Sequence, residues 1–264
     1  MPAHNAAQYI ASAIDSVLAQ THSNLQLLIV DDASSDATVE IINSFVEQDS
    51  RVVLFSLKTQ SGGPAAPRNR ALQNANGEFV AFIDADDMWR KDKLSCQLKA
   101  MQVHSLDFCS TRHIKFVDFI DESKDVEATI SGILEDPPIS LISHQQMLRK
   151  NRIVCSGVLL SSALAQDLVF SEQAENVGIE DYLAWLTILQ KHTVGAAIID
   201  LPLVFYRLRN DSLSNSKINM AKKIFGLLSR YTQNGKPLGI RKYFYFAHYG
   251  VAGLKMLLID RLKK

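Results

Sequence analysis

Apolar residues recur at helical spacing at Ile10, Ile14, Val17 and Leu18, and the apolar run 25–30 is short and closed by Asp31-Asp32. The first pattern predicts an amphipathic helix, the second a buried strand. Ser34, Ser35 and Asp36 offer N-cap oxygens to a second helix that would bury Val39, Ile42, Phe45 and Val46. A strand at 52–56, a Gly62-Gly63-Pro64 turn, a helix around 68–75 and a strand at 79–83 follow, and the last runs into Asp84-Ala85-Asp86-Asp87. Helices alternating with short apolar strands predict an α/β fold with a mostly parallel sheet covered by helices on both faces.

The pattern loosens at 104–150, where the acidic stretch 118–127 and the turn Asp136-Pro137-Pro138 suggest a flexible segment over a site. A strand at 153–161 carries Cys155 and Ser156; Glu180-Asp181 then open a helix that would bury Leu183, Leu186 and Leu189. A last strand, 194–201, leads to Arg207 and Arg209 beside a turn.

In open α/β sheets the ligand lies beyond the carboxyl ends of the strands. Two predicted strands end there in carboxylates; if they are neighbours, the crowded negative charge calls for a hard divalent cation, which would hold a diphosphate. Helix capping accounts equally well for any single Asp, but several with a DxD spacing point to a metal–nucleotide site. Acids at a helix start are favoured by the helix dipole alone, which is the plain reading of Glu180-Asp181. An arginine near the turn is either solvated or aimed at a diphosphate.

Composition narrows the class. The chain has 264 residues, 47% hydrophobic and 21% charged, with 12 Gly and 7 Pro, which excludes disordered and fibrous chains. Cys96, Cys109 and Cys155 have neither the count nor the spacing of a disulfide framework or zinc site, as suits a reducing cytoplasm. No run approaches the roughly 20 apolar residues of a membrane span, and no signal-peptide pattern opens the chain, so a cytoplasmic protein is expected. Charge is sorted: 217–264 hold 11 Lys/Arg against the single acid Asp260, leaving 17 basic and 27 acidic residues before them. Such a tail either meets an anionic surface or docks on the acidic body.

Taken in order, several blocks resemble the family 2 glycosyltransferases of the GT-A fold. They are Pro2-Ala3-His4-Asn5, the stretch 13–21, Ile29-Val30-Asp31-Asp32-Ala33-Ser34-Ser35-Asp36, Arg68-Asn69-Arg70-Ala71, the stretch 77–89, Glu180-Asp181-Tyr182 and the stretch 206–214. The resemblance covers about 1–216 and leaves 217–264 as a basic helical extension; within the family the chain is most similar to bacterial enzymes that build surface polysaccharides of the teichuronic acid and exopolysaccharide type. It implies a Rossmann-like GT-A domain and inverting, metal-dependent transfer from a nucleotide-sugar donor, usually a UDP-sugar, to a glycan or lipid-linked glycan, without nucleic acid as a partner.

The resemblance also assigns residues. Pro2, Ala3 and His4 would line the nucleotide pocket and Asp32 would bind the base. Asp84 would touch ribose, sugar or metal-bound water, and Asp86 would ligate Mn2+ or Mg2+. Asp181 would be the catalytic base, with Glu180 an acceptor-side or positioning group. Many relatives carry His where this chain has Arg209, so a diphosphate contact is the expectation there. An inactive nucleotide-sugar-binding or scaffold subunit is the alternative; a dinucleotide oxidoreductase would need a GxGxxG that the chain lacks. Peripheral attachment of 217–264 to the cytoplasmic face of the inner membrane is expected. Relatives also begin with a buried strand of about five apolar residues just before the Pro2 block. With Met1 in that place, an open seam in the core is expected, and with it either a start assigned too late or a truncated chain.

Overall fold

The structure, a computed structural model, describes residues 1–117, 135–192, 196–209 and 217–250. The acidic stretch 118–127, expected to cover the site, lies outside the described residues.

Two sheets organise the molecule. Strands β1 (Pro2–Ala3), β2 (Leu27–Asp31) and β3 (Val52–Ser56) form a parallel sheet in that order. The second contains β4 (Phe79–Ala81), β5 (Met88–Trp89), β6 (Phe108–Phe116), β7 (Ile139–Ile142), β8 (Leu159–Ser161) and β9 (Ala196–Arg207), in the order β4-β8-β6-β9-β5 with β7 on β9. Here only β6 and β9 pair in parallel. The strands that lead to Asp31 and Asp84 therefore belong to different sheets and are not neighbours. Between them lies a cavity of about 820 Å3 lined by Leu27, Leu28, Phe79 and Ala81 among others.

The local signals mostly hold. Helix Ile10–Leu18 buries Ile10, Ala13, Ile14 and Val17 on one stripe. In helix Thr38–Gln48 the stripe is Thr38 and Ile42, and Val46 faces outward against expectation, one position past the half-buried Phe45. Asp36 accepts the Thr38 N–H at 3.0 Å, so it serves the first turn from two residues upstream. The expected strand at 153–161 is a 3-10 turn, Cys155–Gly157, followed by β8. The apolar run hides this turn because Gly157 must pass close to Ser110 and Val154: a Cβ there would lie 2.9 Å from Ser110 Oγ and 3.0 Å from Val154 Cγ1.

Packing settles the state of the tail's described part. Helix Lys217–Arg230 and the chain after it contribute Ile224, Leu227, Leu228, Tyr231, Leu238 and Tyr245 to the cluster around Trp185. Tyr231 Oη donates to Leu186 O at 3.1 Å, and Arg230 Nε pairs with Glu175 Oε1 at 2.9 Å. Of the two sequence readings, docking on the body holds for these residues. The three cysteines are buried and free.

Candidate active site

The amino-terminal wall of the site forms where β1 and β2 end together. Pro2 stands opposite Val30 and Ala3 opposite Asp31, and the Asp32 N–H donates to Ala3 O at 2.8 Å. Both strands then turn sharply through Asn5 (φ 45°) and Ala33 (φ 53°), non-glycine residues in the left-handed region. The turns are clasped: Asn5 N–H donates to Ser34 Oγ at 3.0 Å and Ser35 N–H to Asn5 Oδ1 at 2.8 Å. His4 Nδ1 lies 2.8 Å from Asp32 O, so Pro2, Ala3, His4 and Asp32 form one surface. Asp32 is buried, and its two oxygens accept Ser61 N–H and Ser61 Oγ–H, each at 2.8 Å. A carboxylate oxygen can accept twice, so capacity for a further donor remains. Ser61 was not singled out from sequence; its position at the mouth of the Gly62-Gly63-Pro64 turn was the available signal.

The acidic run after β4 divides by function. Asp87, 1% exposed, accepts Ser156 Oγ–H at 2.6 Å and Arg207 N–H at 3.0 Å. Ser156 Oγ in turn accepts the Asp84 N–H at 3.1 Å, and its carbonyl receives Trp89 Nε1–H at 2.7 Å. Asp87 thus holds the turn that aims Asp84 and Asp86. Burial, with the charges of Asp84 and Asp86, pushes the Asp87 carboxyl well above the ordinary carboxylate range. The same causes, burial and then Asp84, raise Asp86, while Arg209 opposes them. Asp31 also turns inward, accepting Ser34 N–H at 3.2 Å. Of the five acids at the two strand ends, Asp31 and Asp87 fix backbone.

The end of β9 supplies cations to this rim. Arg209 Nη1 lies 3.3 Å from Asp86 Oδ2, and Arg207 Nε donates to Asp86 O at 2.9 Å. The Tyr9 ring lies 4.8 Å from Arg207 Cζ and 4.9 Å from Arg209 Cζ, which sets both guanidinium planes. Arg209, expected at a diphosphate, is thus already beside the expected metal ligand. Arg207 was noted in sequence beside the turn but given no role, and Tyr9 was not singled out.

Arg68 joins the two halves. It is 4% exposed, and donates from Nη2 to Asp84 Oδ1 at 2.6 Å and from Nη1 to Glu180 Oε1 at 2.7 Å. Phe170 lies 5.3 Å from its Cζ. Glu180 is likewise 4% exposed and also accepts Gly178 N–H, in a turn where Gly178 holds φ 83°. Next to it, at the start of helix Glu180–Lys191, Asp181 accepts Tyr182 N–H at 2.6 Å. Burial, and then the Glu180 charge, raise the Asp181 carboxyl to about 7, against the pull of Arg68. A carboxyl so placed can take up and release a proton near neutrality. The site therefore brings together the surface of Pro2, Ala3, His4 and Asp32, an acidic rim with arginines, and the Asp181 carboxyl beside Glu180, which the buried Arg68 guanidinium ties to that rim.

Comparison with known proteins identifies the family and the fold. The family model described as glycosyl transferase family 2 matches residues 1–159. An Escherichia coli UDP-Glc:alpha-D-GlcNAc-diphosphoundecaprenol beta-1,3-glucosyltransferase, WfgD, is 32% identical over 98% of this chain and 94% of its own length. A Bacillus subtilis (strain 168) glycosyltransferase named for teichuronic acid biosynthesis, TuaG, is 33% identical over 84% of this chain and 82% of its own. Among solved structures, Staphylococcus aureus TarS 1-349 in complex with UDP superposes with a TM-score of 0.62 at 20% identity; the match covers 89% of this chain and 65% of that one. The Pyrobaculum calidifontis mannosyltransferase PcManGT, in complex with GDP-Man and Mn2+, gives a TM-score of 0.63 at 18% identity, covering 95% and 72%. In sequence and in its GT-A-like fold, the chain belongs to glycosyltransferase family 2.

Proposed function

We propose that the protein is an inverting, divalent-cation-dependent glycosyltransferase that moves a sugar from a UDP-sugar to a lipid-linked glycan of the bacterial surface. Support for donor and acceptor comes from WfgD, whose name states UDP-Glc and a diphosphoundecaprenol-linked GlcNAc, and from TuaG. The observation that carries the chemistry is the Arg68 bridge, which ties Asp84 on the donor side to Glu180 beside Asp181.

In this reading Pro2, Ala3, His4 and Asp32 receive the nucleoside, Asp32 with its remaining acceptor capacity. Asp84 faces the ribose or sugar from the turn that Ser156 and Asp87 hold. Asp86 and Asp84 suit a divalent ion, because burial, and then repulsion from Asp84, raise the Asp86 carboxyl, and a cation relieves the repulsion. No group of three or more His, Cys, Asp or Glu among the described residues could hold a metal alone. An ion of the Mn2+ or Mg2+ kind is commonly held by one or two carboxylates together with substrate phosphates. When bound, such an ion neutralises charge on the departing diphosphate. Arg209 swings from Asp86 to the diphosphate and adds charge-assisted hydrogen bonds. The acceptor hydroxyl attacks the anomeric carbon, the bond to the diphosphate oxygen breaks with its electron pair, and Asp181 takes the hydroxyl proton. A single displacement inverts the centre. Glu180, spent on Arg68 and Gly178, positions this machinery.

Asp86→Ala is expected to weaken UDP binding in Mn2+ at least about tenfold, by analogy with the cost of disturbing a metal site. Its Tm should not fall, since the carboxyl is held against its preferred ionisation. Titration calorimetry with and without Mn2+ checks this, and a product assay separates the enzyme from an inactive binding subunit. Unchanged Mn2+-dependent binding would remove Asp86 as the ligand.

The same reading places the protein on the cytoplasmic membrane surface. No helix among the described residues is long and apolar enough to cross a membrane. Ile240, Tyr243 and Phe244 are exposed at 85%, 57% and 51%, beside Arg241 and Lys242. Apolar side chains with basic neighbours suit anionic lipid, each cation adding about 1 kcal/mol near the surface. Truncation at Ser216 would strip Leu227, Leu228 and Tyr231 from the core, so point variants are the better test. Ile240→Glu with Phe244→Glu should lower sedimentation with phosphatidylglycerol vesicles at low salt without changing Tm. Equal sedimentation of both proteins would count against this face.

A further inference from the structure

A second polar network lies behind the acidic rim, and a buried cation stands at its root. Lys93 opens helix Lys93–His104 and is 0% exposed, as is Gln97 one turn later. The position is doubly unfavourable, because burial penalises an ammonium and the positive end of the helix dipole opposes a cation in the first turn. Among the described residues no carboxylate pairs with it. Burial pushes the Lys93 amine down to about 7, and the Cys109 thiol, pushed up to about 12 by its own burial, stays neutral and supplies no counter-ion.

What the ammonium holds is an amide. Lys93 Nζ donates to Gln97 Oε1 at 2.6 Å and lies 3.9 Å from the centre of the Trp89 ring. An ammonium can only donate, so it keeps the oxygen of the amide toward itself and turns the NH2 end away. That end donates to Gly157 O at 2.9 Å and to Cys109 Sγ at 3.4 Å. Trp89, whose ring meets the same ammonium, donates from Nε1 to Ser156 O. Two successive carbonyls of the 3-10 turn Cys155–Gly157 are therefore gripped by groups that Lys93 touches, and the close approach of Ser110 and Val154 leaves Gly157 little room to shift. The same turn sends Ser156 Oγ to Asp87 and receives the Asp84 N–H.

We propose that Lys93 is a positioning residue for the donor-side carboxylates: by orienting the Gln97 amide it holds the turn at Ser156 and Gly157 in place, and so sets where Asp84 and Asp86 point. This role rests on the proposed donor site, in which those two acids meet a divalent ion and the sugar nucleotide. Groups that orient a metal ligand typically control metal affinity by about 10- to 100-fold. A role in folding alone is disfavoured by the electrostatics. The folded chain gives up the Lys93 proton near 7 rather than at 10.5, so the charge lowers stability as pH falls below 10.5, and in full below about 7. Methionine would fill similar space without that cost, at the expense of the donor to Gln97 Oε1.

The test compares Lys93→Met and Gln97→Glu with the parent. Glutamate gives Lys93 a counter-ion at nearly unchanged volume, and beside the ammonium it stays ionised, so the donor to Gly157 O is lost while packing is kept. Titration calorimetry with UDP is expected to show the Mn2+-dependent affinity lowered about tenfold in both variants, with each Tm close to the parent's. Hydrogen exchange at the Asp84 and Arg207 amides, which Ser156 and Asp87 hold, should quicken about tenfold while helix Ile10–Leu18 keeps its rate. Unchanged exchange at those two amides would overturn the proposal and leave the donor site standing. So would quickened exchange with parental UDP affinity. A parent that binds UDP equally well with and without Mn2+ would remove the metal reading of Asp84 and Asp86, and this role with it. If Lys93→Met does not fold, Gln97→Glu decides: parental exchange and affinity overturn the proposal, as does protection lost throughout the chain with a Tm about 10 °C lower, the mark of a purely structural network.

Discussion

Replacing Asp181 by Asn is expected to cut turnover about 10^2- to 10^4-fold, the range for a lost general base, while leaving UDP-sugar affinity nearly intact. The side chain keeps its shape and its contact with Tyr182 N–H, so the loss isolates proton transfer. The unmodified enzyme should gain kcat/KM as pH rises through about 7, where the Asp181 carboxyl ionises. Stability should move the other way. The folded protein holds this proton above the ordinary carboxylate value of 3.8, so folding is favoured below that value and the advantage is lost as pH rises through about 7. Asp181→Asn has no such ionisation, so its Tm should gain on the parent's as buffer is changed from about pH 5 to about pH 8. Transfer rates and thermal melts across that range check both signs. Retained turnover in the Asn protein would remove Asp181 as the base, and parallel Tm profiles would place its carboxyl in water.

The sequence revealed the parts of this site better than their wiring. Hydrophobic periodicity located helix Ile10–Leu18 and strands β2 and β3 because each buries one continuous face within a few residues. It failed at 153–161, where Ser156 turns inward to bind Asp87 and the backbone breaks into a 3-10 turn; an apolar run looks alike in either conformation. Motif order placed Asp84, Asp86, Glu180 and Asp181 at one end of the fold, but residue type cannot separate an Asp that faces ligand from one that braces a turn. Asp87 and Asp31 are of the second kind, and only their partners reveal it. The Arg68 bridge was the least legible, because its partners stand 16 and 112 residues away.

Arg68→Met should give the largest loss of stability among the site substitutions. Removing one partner of a buried ionic group strands the others, at about 3–5 kcal/mol. Here both Asp84 and Glu180 lose their guanidinium, and Glu180 is as deeply buried as Arg68 itself. For a domain of this size the Tm should fall by roughly 10 °C. Arg68 also pulls the Asp181 carboxyl downward, whereas Glu180 pushes it upward. The rate profile of Arg68→Met should therefore shift its midpoint to higher pH than the parent's. Adding Glu180→Gln removes the stranded charge and one upward push together. The double variant should recover part of the stability and move the midpoint back, a coupling that a thermodynamic cycle measures directly. A bystander arginine would lower Tm through lost packing alone, leaving the midpoint where it was and the two substitutions additive. A shifted midpoint with strong coupling is the signature of one network joining the donor rim to the base.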